Sequence, residues 1–272
     1  MLRFSGAGVS DVGRVRPHNE DSGFVGPYVA VVADGVGGAA AGEIASATAA
    51  YGASAVALAR LGRRPERVLA EAYAAAMAGV QLGVQRDLER LGMATTLTML
   101  VTDGQHIALG HVGDSRCYLL REGVLRQITK DHTYVQHLID TGQLSPEGRT
   151  THPWRNVVLR SVDGDPEGGG LDITRLEATQ GDRLLLCSDG LTDLVGDEEI
   201  GRVLATTEAD EAAAELTRLA LEAGGRDNIT VVVLDVVDGP RVVGDGRLLG
   251  ALYDPYNVVD PAAVHLREVR SA

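Results

Sequence analysis

Aromatic side chains are scarce. Phe, Trp and Tyr make up 4% of the 272 residues, so any core has to be built from Val, Leu, Ala and Ile. At 44% apolar residues, that material is ample. Cysteine is nearly absent: Cys117 and Cys187 sit in apolar runs, with no second Cys or His at metal-ligand spacing. This excludes a zinc ribbon and a disulfide scaffold, and predicts two buried, inert thiols. No apolar run reaches the ~18 residues of a spanning helix, and no basic-then-apolar leader opens the chain. The expectation is a cytoplasmic protein without membrane insertion. Positive charge is in deficit too, with 25 basic against 38 acidic residues and a net charge of −13. That argues against non-specific nucleic-acid binding, which needs a basic footprint, and is compatible with binding cations. There is no internal repeat, no low-complexity linker, no Ser nucleophile elbow and no Cys-x5-Arg phosphate loop.

What is present is organised around residues 29–42, VAVVADGVGGAAAG. Five apolar residues read as a buried strand, ended by Asp34 and a Gly-rich turn, after which an Ala-rich run begins. A carboxylate at the tip of a buried strand needs a cation or hydrogen-bond donors. The glycines let backbone approach whatever Asp34 holds. Taken alone, the same pattern is an ordinary strand–turn–helix corner.

Along the chain, strands are predicted at 2–10 and 28–33, separated by a polar loop that carries Arg16, His18, Asn19, Glu20 and Asp21. Helices follow at 42–60 and from Pro65 to about Arg90. Strands then crowd at 94–102, 106–112, 116–120 and 124–128, with Gly turns that imply an antiparallel meander. Residues 130–165 form a polar excursion, a flap holding His132, His137, His152 and the lone Trp154, which burial is expected to anchor. Strands at 171–177 and 182–187, helices at 197–205 and 209–223, and a strand at 228–237 complete the pattern. This order is α+β and suits two mostly antiparallel sheets packed face to face, with helical pairs outside. His111, at a core strand end, reads as a satisfied core histidine. The expected division is a domain over 1–239 and an extension, 240–272, of undetermined role.

The logic of Asp34 recurs. Asp114 follows Val112-Gly113, Asp189 follows Leu184–Ser188 and precedes Gly190, and Asp227 precedes an Ile/Val-rich strand. Glu20 and Asp21 end the first loop. Each alone can be a turn-former. Brought to one rim they would repel one another unless cations were bound. Carboxylates, a backbone carbonyl at Gly35 and waters suit Mg²⁺ or Mn²⁺, not zinc. Two such ions suit phosphoryl chemistry by direct attack of a water. Arg16 is either a bidentate phosphate clamp or a surface ion pair with Glu20 or Asp21.

Asp11-Val12-Gly13 with Arg16, Asn19-Glu20-Asp21 and Ala33-Asp34-Gly35-Val36-Gly37-Gly38 resemble the opening motifs of the metal-dependent, type 2C serine/threonine protein phosphatases. Thr95-Thr96-Leu97, Gly113-Asp114-Ser115-Arg116, Ser188-Asp189-Gly190-Leu191 and Asp227-Asn228-Ile229-Thr230 resemble its later motifs, in order. The resemblance spans 8–238 and is closest to bacterial catalytic domains that reverse Ser/Thr kinases. It implies a four-layer α-β-β-α sandwich with the metal centre at one rim. It implies that Asp34 bridges two Mn²⁺ or Mg²⁺ ions, with Asp189 and Asp227 completing one. The Gly35 carbonyl, with Glu20 through water, would serve the second. Asp114 with Asp189 would hold a third, Asn156 falls where some relatives supply a flap ligand, and Arg16 becomes the phosphate clamp. The implied partners are phosphoprotein substrates, through a Ser/Thr kinase and its targets. The chain departs from the family at Val36, Ala39 and Ala94. Neither Val36 nor Ala39 can donate a proton, which leaves the general acid to His18 or a water. That gap keeps a non-catalytic binding or regulatory module of the same fold as an alternative, with a hydrolase of small phosphate esters as a third.

Overall fold

The computed structural model describes residues 1–36, 41–165, 168–244 and 246–260. The elements run β1 (Leu2–Asp11), β2 (Asp21–Val25), β3 (Val29–Asp34), α1 (Gly42–Ala59), α2 (Pro65–Arg86), β4 (Leu97–Thr102), β5 (Ile107–Val112), β6 (Arg116–Arg121) and β7 (Val124–Gln127). They continue α3 (Tyr134–Asp140), β8 (Asp172–Leu176), β9 (Arg183–Cys187), α4 (Asp189–Thr192), α5 (Asp197–Thr206), α6 (Ala209–Glu222), β10 (Ile229–Asp238) and β11 (Arg247–Gly250). One sheet has the order β1-β10-β9-β6-β7, the other β11-β2-β3-β4-β5-β8, and every pairing is antiparallel.

Strand periodicity explains the layering. In β10, Ile229, Val231 and Val233 pack with Ile200, Val203 and Leu216 of α5 and α6, while Val232, Leu234 and Val236 face the other sheet. In β3, Val29, Val31 and Ala33 meet the Ala face of α1 and α2, while Ala30 and Val32 face β10's sheet. The central strands are apolar on both faces because both faces are covered. Burying each such Val or Leu contributes roughly 1.5–3 kcal/mol. Exposed ion pairs such as Arg218–Glu215 are screened by solvent and contribute little. Apolar layers, not surface charge, hold the four-layer α-β-β-α sandwich together.

Several elements differ from their expected bounds. The second helix stops at Arg86, because Asp87 turns extended and its carboxylate accepts the Glu89 N–H, opening a separate 3-10 turn at Leu88–Arg90. The strand expected from residue 94 begins at Leu97, and Thr95 instead makes isolated bridges to Gly35 and Val162. Beyond residue 239, Arg247–Gly250 adds an edge strand to β2, so the sandwich draws on residues past the expected domain boundary. Trp154 corrects another expectation: it is 57% exposed, set edge-on to Tyr134 and His152 on the flap surface rather than buried. Polar contacts, among them Arg149 with Asp131 and Gln136, hold the flap instead. His111 is buried as expected, its ring bonded to Thr98 Oγ1 and the Lys130 carbonyl. Burial pushes its pKa down to about 4, with His132 adding to the effect. Cys117 and Cys187 are free and fully buried.

Candidate metal centre

The rim of the sandwich assembles from strand ends. β3 carries Asp34 to the edge, and antiparallel pairing with β2 sets Asp21 directly opposite it. The Asp34 backbone is fixed by the Thr pair. Its N–H donates to Thr96 Oγ1 at 2.9 Å, and its carbonyl accepts from Thr95 Oγ1 at 2.8 Å and Thr96 N at 2.8 Å. Gly35 is required by crowding, since a Cβ there would lie 2.6 Å from the Gly42 carbonyl oxygen. β5 delivers Asp114 through Gly113, whose φ of +108° puts the chain in a conformation glycine favours. β9 ends at Cys187, the next residue Ser188 donates to Asp21 Oδ2 at 2.7 Å, and Asp189 opens α4. Asn228 ties the first loop to this rim. Its Nδ2 donates to the carbonyls of Val12 and His18, and its Oδ1 accepts the Glu20 N–H.

Arg16, Asp34, Gly35, Asp114, Asn156, Asp189 and Asp227 thereby line one cavity of about 80 Å³, with Val36, Thr96 and Val158. Arg16 is neither free nor paired with Glu20 or Asp21: its Nη2 donates to Asp227 Oδ2 at 2.8 Å. Glu20 stands beside the cavity, its carbonyl accepting the Gly35 N–H at 3.2 Å, but it does not line it. His18 does not line it either, and is exposed. Gly37, Gly38 and Ala39 lie outside the described residues.

The electrostatics follow from packing acids together. Burial, then repulsion from Asp21, Asp189, Asp114 and Asp227, holds the Asp34 pKa well above the ordinary carboxylate range. Asp189 is raised by burial and by Asp114, Asp193, Asp227 and Asp21. Burial, then Asp131, pushes Asp114 up to about 7, and burial pushes Asp21 up to about 6 against its Ser188 hydrogen bond. Asp21 Oδ1 is buried without a hydrogen-bond partner. Among the described residues, no three His, Cys, Asp or Glu side chains form a ready-made cage. An all-oxygen, open, mutually repelling set fits hard divalent cations, which keep several waters and accept carbonyl ligands.

Two acids at this rim lacked an assigned role in the sequence reading. Asp21 is among the recurring acids of the sequence, but only strand register sets it opposite Asp34. Asp193, whose pKa burial raises, lies four residues after Asp189, a spacing that places both on one side of a helical turn.

Known proteins match this chain in sequence and fold. The family model described as Protein phosphatase 2C matches residues 18–222. The serine/threonine protein phosphatase PstP of Mycobacterium tuberculosis is 47% identical over 245 residues, covering 88% of this chain and 46% of PstP. The chain thus spans about half the length of that curated relative. The serine/threonine phosphatase stp of Listeria monocytogenes is 35% identical over 241 residues, covering 83% of this chain and 93% of that protein. A crystal structure of the PstP catalytic domain in complex with two manganese ions matches with a TM-score of 0.81 and 42% identity, covering 88% of this chain and all of that one. Sequence and sandwich both match, and the chain belongs to the protein phosphatase 2C family.

Proposed function

We propose that this chain is a divalent-cation-dependent phosphoprotein phosphatase that hydrolyses phosphoserine and phosphothreonine by direct attack of water. The observation that carries the reading is the meeting of Asp34, Asp114, Asp189 and Asp227 with Arg16 at one small cavity. A phosphate dianion would be repelled by these carboxylates alone, so cations have to mediate. Asp34, Asp189 and Asp227 would hold one ion. The Gly35 carbonyl, with Asp34 and with Glu20 through water, would hold a second, and Asp114, Asp189 and Asn156 a third. When bound, Mn²⁺ or Mg²⁺ ions lower the pKa of a water, orient the phosphate and neutralise charge in an in-line displacement.

The chain's own residues position and exclude. Arg16 offers its guanidinium fork to phosphate oxygens. Its pair with Asp227 is about one-third exposed on each side and contributes about 0–1 kcal/mol, so exchange for a phosphate costs little. Thr95 and Thr96 fix Asp34, and Val36 and Val158 form the apolar wall of the cavity. The manganese-bound PstP domain and the named relatives support this reading. Its natural setting is signalling in the cytoplasm, on proteins phosphorylated by a Ser/Thr kinase.

The test is a phosphopeptide assay. Turnover should require Mn²⁺ or Mg²⁺, vanish with EDTA, and fall by about two to three orders of magnitude in Asp34→Asn. A robust rate without divalent cation would overturn the proposal, and faster turnover of sugar phosphates or nucleotides would favour a small-ester hydrolase.

A further inference from the structure

The flap has little apolar anchorage of its own. Trp154, Val157 and Leu159 are exposed, and Val135 is its one fully buried large apolar residue away from the root at Val162, among the described residues. Something polar has to fix it over the rim. Asp131, with a side chain 5% exposed, sits where the flap leaves the sheet. It accepts from Arg116 Nε at 2.9 Å and Nη2 at 2.6 Å, and from Arg149 Nη1 at 3.0 Å. Arg116 begins β6, two residues after Asp114. Arg149 lies in the 3-10 turn Pro146–Thr151 inside the flap and also donates to Gln136 of α3. One buried carboxylate thus joins the strand beside Asp114 to two separate pieces of the flap.

The next residue grips the same segment from its other side. The His132 N–H donates to the Gly113 carbonyl at 2.8 Å, and His132 Nδ1 accepts the Gly113 N–H at 3.1 Å. A cavity of about 340 Å³ lies between flap and rim, walled by Arg116, Asp131, Arg149 and Arg155 and sharing Asp114, Asn156 and Asp189 with the smaller one. We propose that Asp131 and Arg149 are positioning residues: the Arg116–Asp131–Arg149 clamp sets the flap over the rim and so shapes the space for the peptide flanking the phosphorylated residue. Two guanidinium groups on one buried carboxylate hold one geometry, and removing a member leaves that charge less compensated.

The kinetic half of the test rests on the phosphatase reading, and the exchange half does not. In Arg149→Gln, amide exchange across residues 141–157 should quicken about tenfold while β4 and β5 exchange as in the wild type. Arg149→Lys, which keeps the charge, should recover part of the protection. With Mn²⁺, Arg149→Gln should raise the phosphopeptide KM about tenfold and move the aryl phosphate KM less than threefold. Asp131→Asn should loosen the same flap amides. Flap exchange at the wild-type rate in Arg149→Gln, or equal KM increases for both substrates, would overturn the clamp. If the wild type turns over neither substrate, the phosphatase reading fails, and the exchange data alone decide on the clamp.

Discussion

Arg16 and Asp227, separated by 211 positions in the chain, form an ion pair at 2.8 Å inside the acidic cavity. Sequence spacing set Arg16 against Glu20 or Asp21, but the fold gives it a different partner, one that the family resemblance makes a metal ligand. The hydrogen bond to Asp227 raises the Arg16 pKa against the opposing effect of burial, so the guanidinium stays charged where a phosphate would arrive. Arg16→Ala removes the phosphate's fork and leaves Asp227 uncompensated. Phosphopeptide KM should rise about tenfold or more, with Arg16→Lys intermediate because a point charge replaces a bidentate donor. Steady-state kinetics at saturating Mn²⁺ check this.

The acid cluster predicts how stability depends on pH. Asp114 is pushed up to about 7 and Asp21 to about 6, and burial and mutual repulsion hold Asp34 and Asp189 well above the ordinary carboxylate range. Between the ordinary carboxylate range and these values, the folded chain binds more protons than the unfolded one. Stability from these groups is therefore present at low pH and is lost as pH rises through the raised values. In EDTA, the melting temperature should fall between pH 5 and pH 8 from this contribution. Mn²⁺ should remove most of the fall by replacing protons with cations. A melting temperature in EDTA that rises steadily to pH 8 would contradict the cluster.

Trp154 tests how the flap is held. It packs against Tyr134 at 5.4 Å between ring centroids and stays more than half exposed. Trp154→Ala should change stability by no more than about 0.5–1 kcal/mol, well below the 3–5 kcal/mol of a buried Trp. Denaturant unfolding measures it directly.

What the sequence reveals of this fold is what is local. β3, β5 and β9 are apolar runs ending beside an acid and a glycine, and β10 is one that begins just after Asp227, so both the strands and the acids at their tips are visible as patterns. What is hidden depends on register or on very short elements. Asp21 gains its role only because β2 pairs with β3 and sets it against Asp34. α4 spans four residues, too few for periodicity, so the relation of Asp193 to Asp189 does not show as a helical repeat. β11 also has four residues and becomes a strand only by pairing with β2. Trp154 misleads because size predicts burial on average, while its apolar neighbours in the flap, Val157 and Leu159, are themselves exposed.

Asp21 separates stability from cation binding at this rim. It is wholly buried, accepts one hydrogen bond from Ser188, and leaves Oδ1 without a partner beside Asp34. Its charge raises the pKa of Asp34 more than any other acid does. Asn has the same shape and can still accept the Ser188 proton while its amide donates toward Asp34. Asp21→Asn should therefore raise the melting temperature in EDTA at pH 8, by about 2–4 °C for each kcal/mol of repulsion relieved. The same change subtracts one negative charge from the site, so the further stabilisation on adding Mn²⁺ should shrink and the apparent Kd for Mn²⁺ should rise. Thermal melts across a Mn²⁺ titration read both effects at once. A variant that is less stable in EDTA yet binds Mn²⁺ as tightly as the wild type would show that Asp21 serves packing alone, with no share in the cluster's charge.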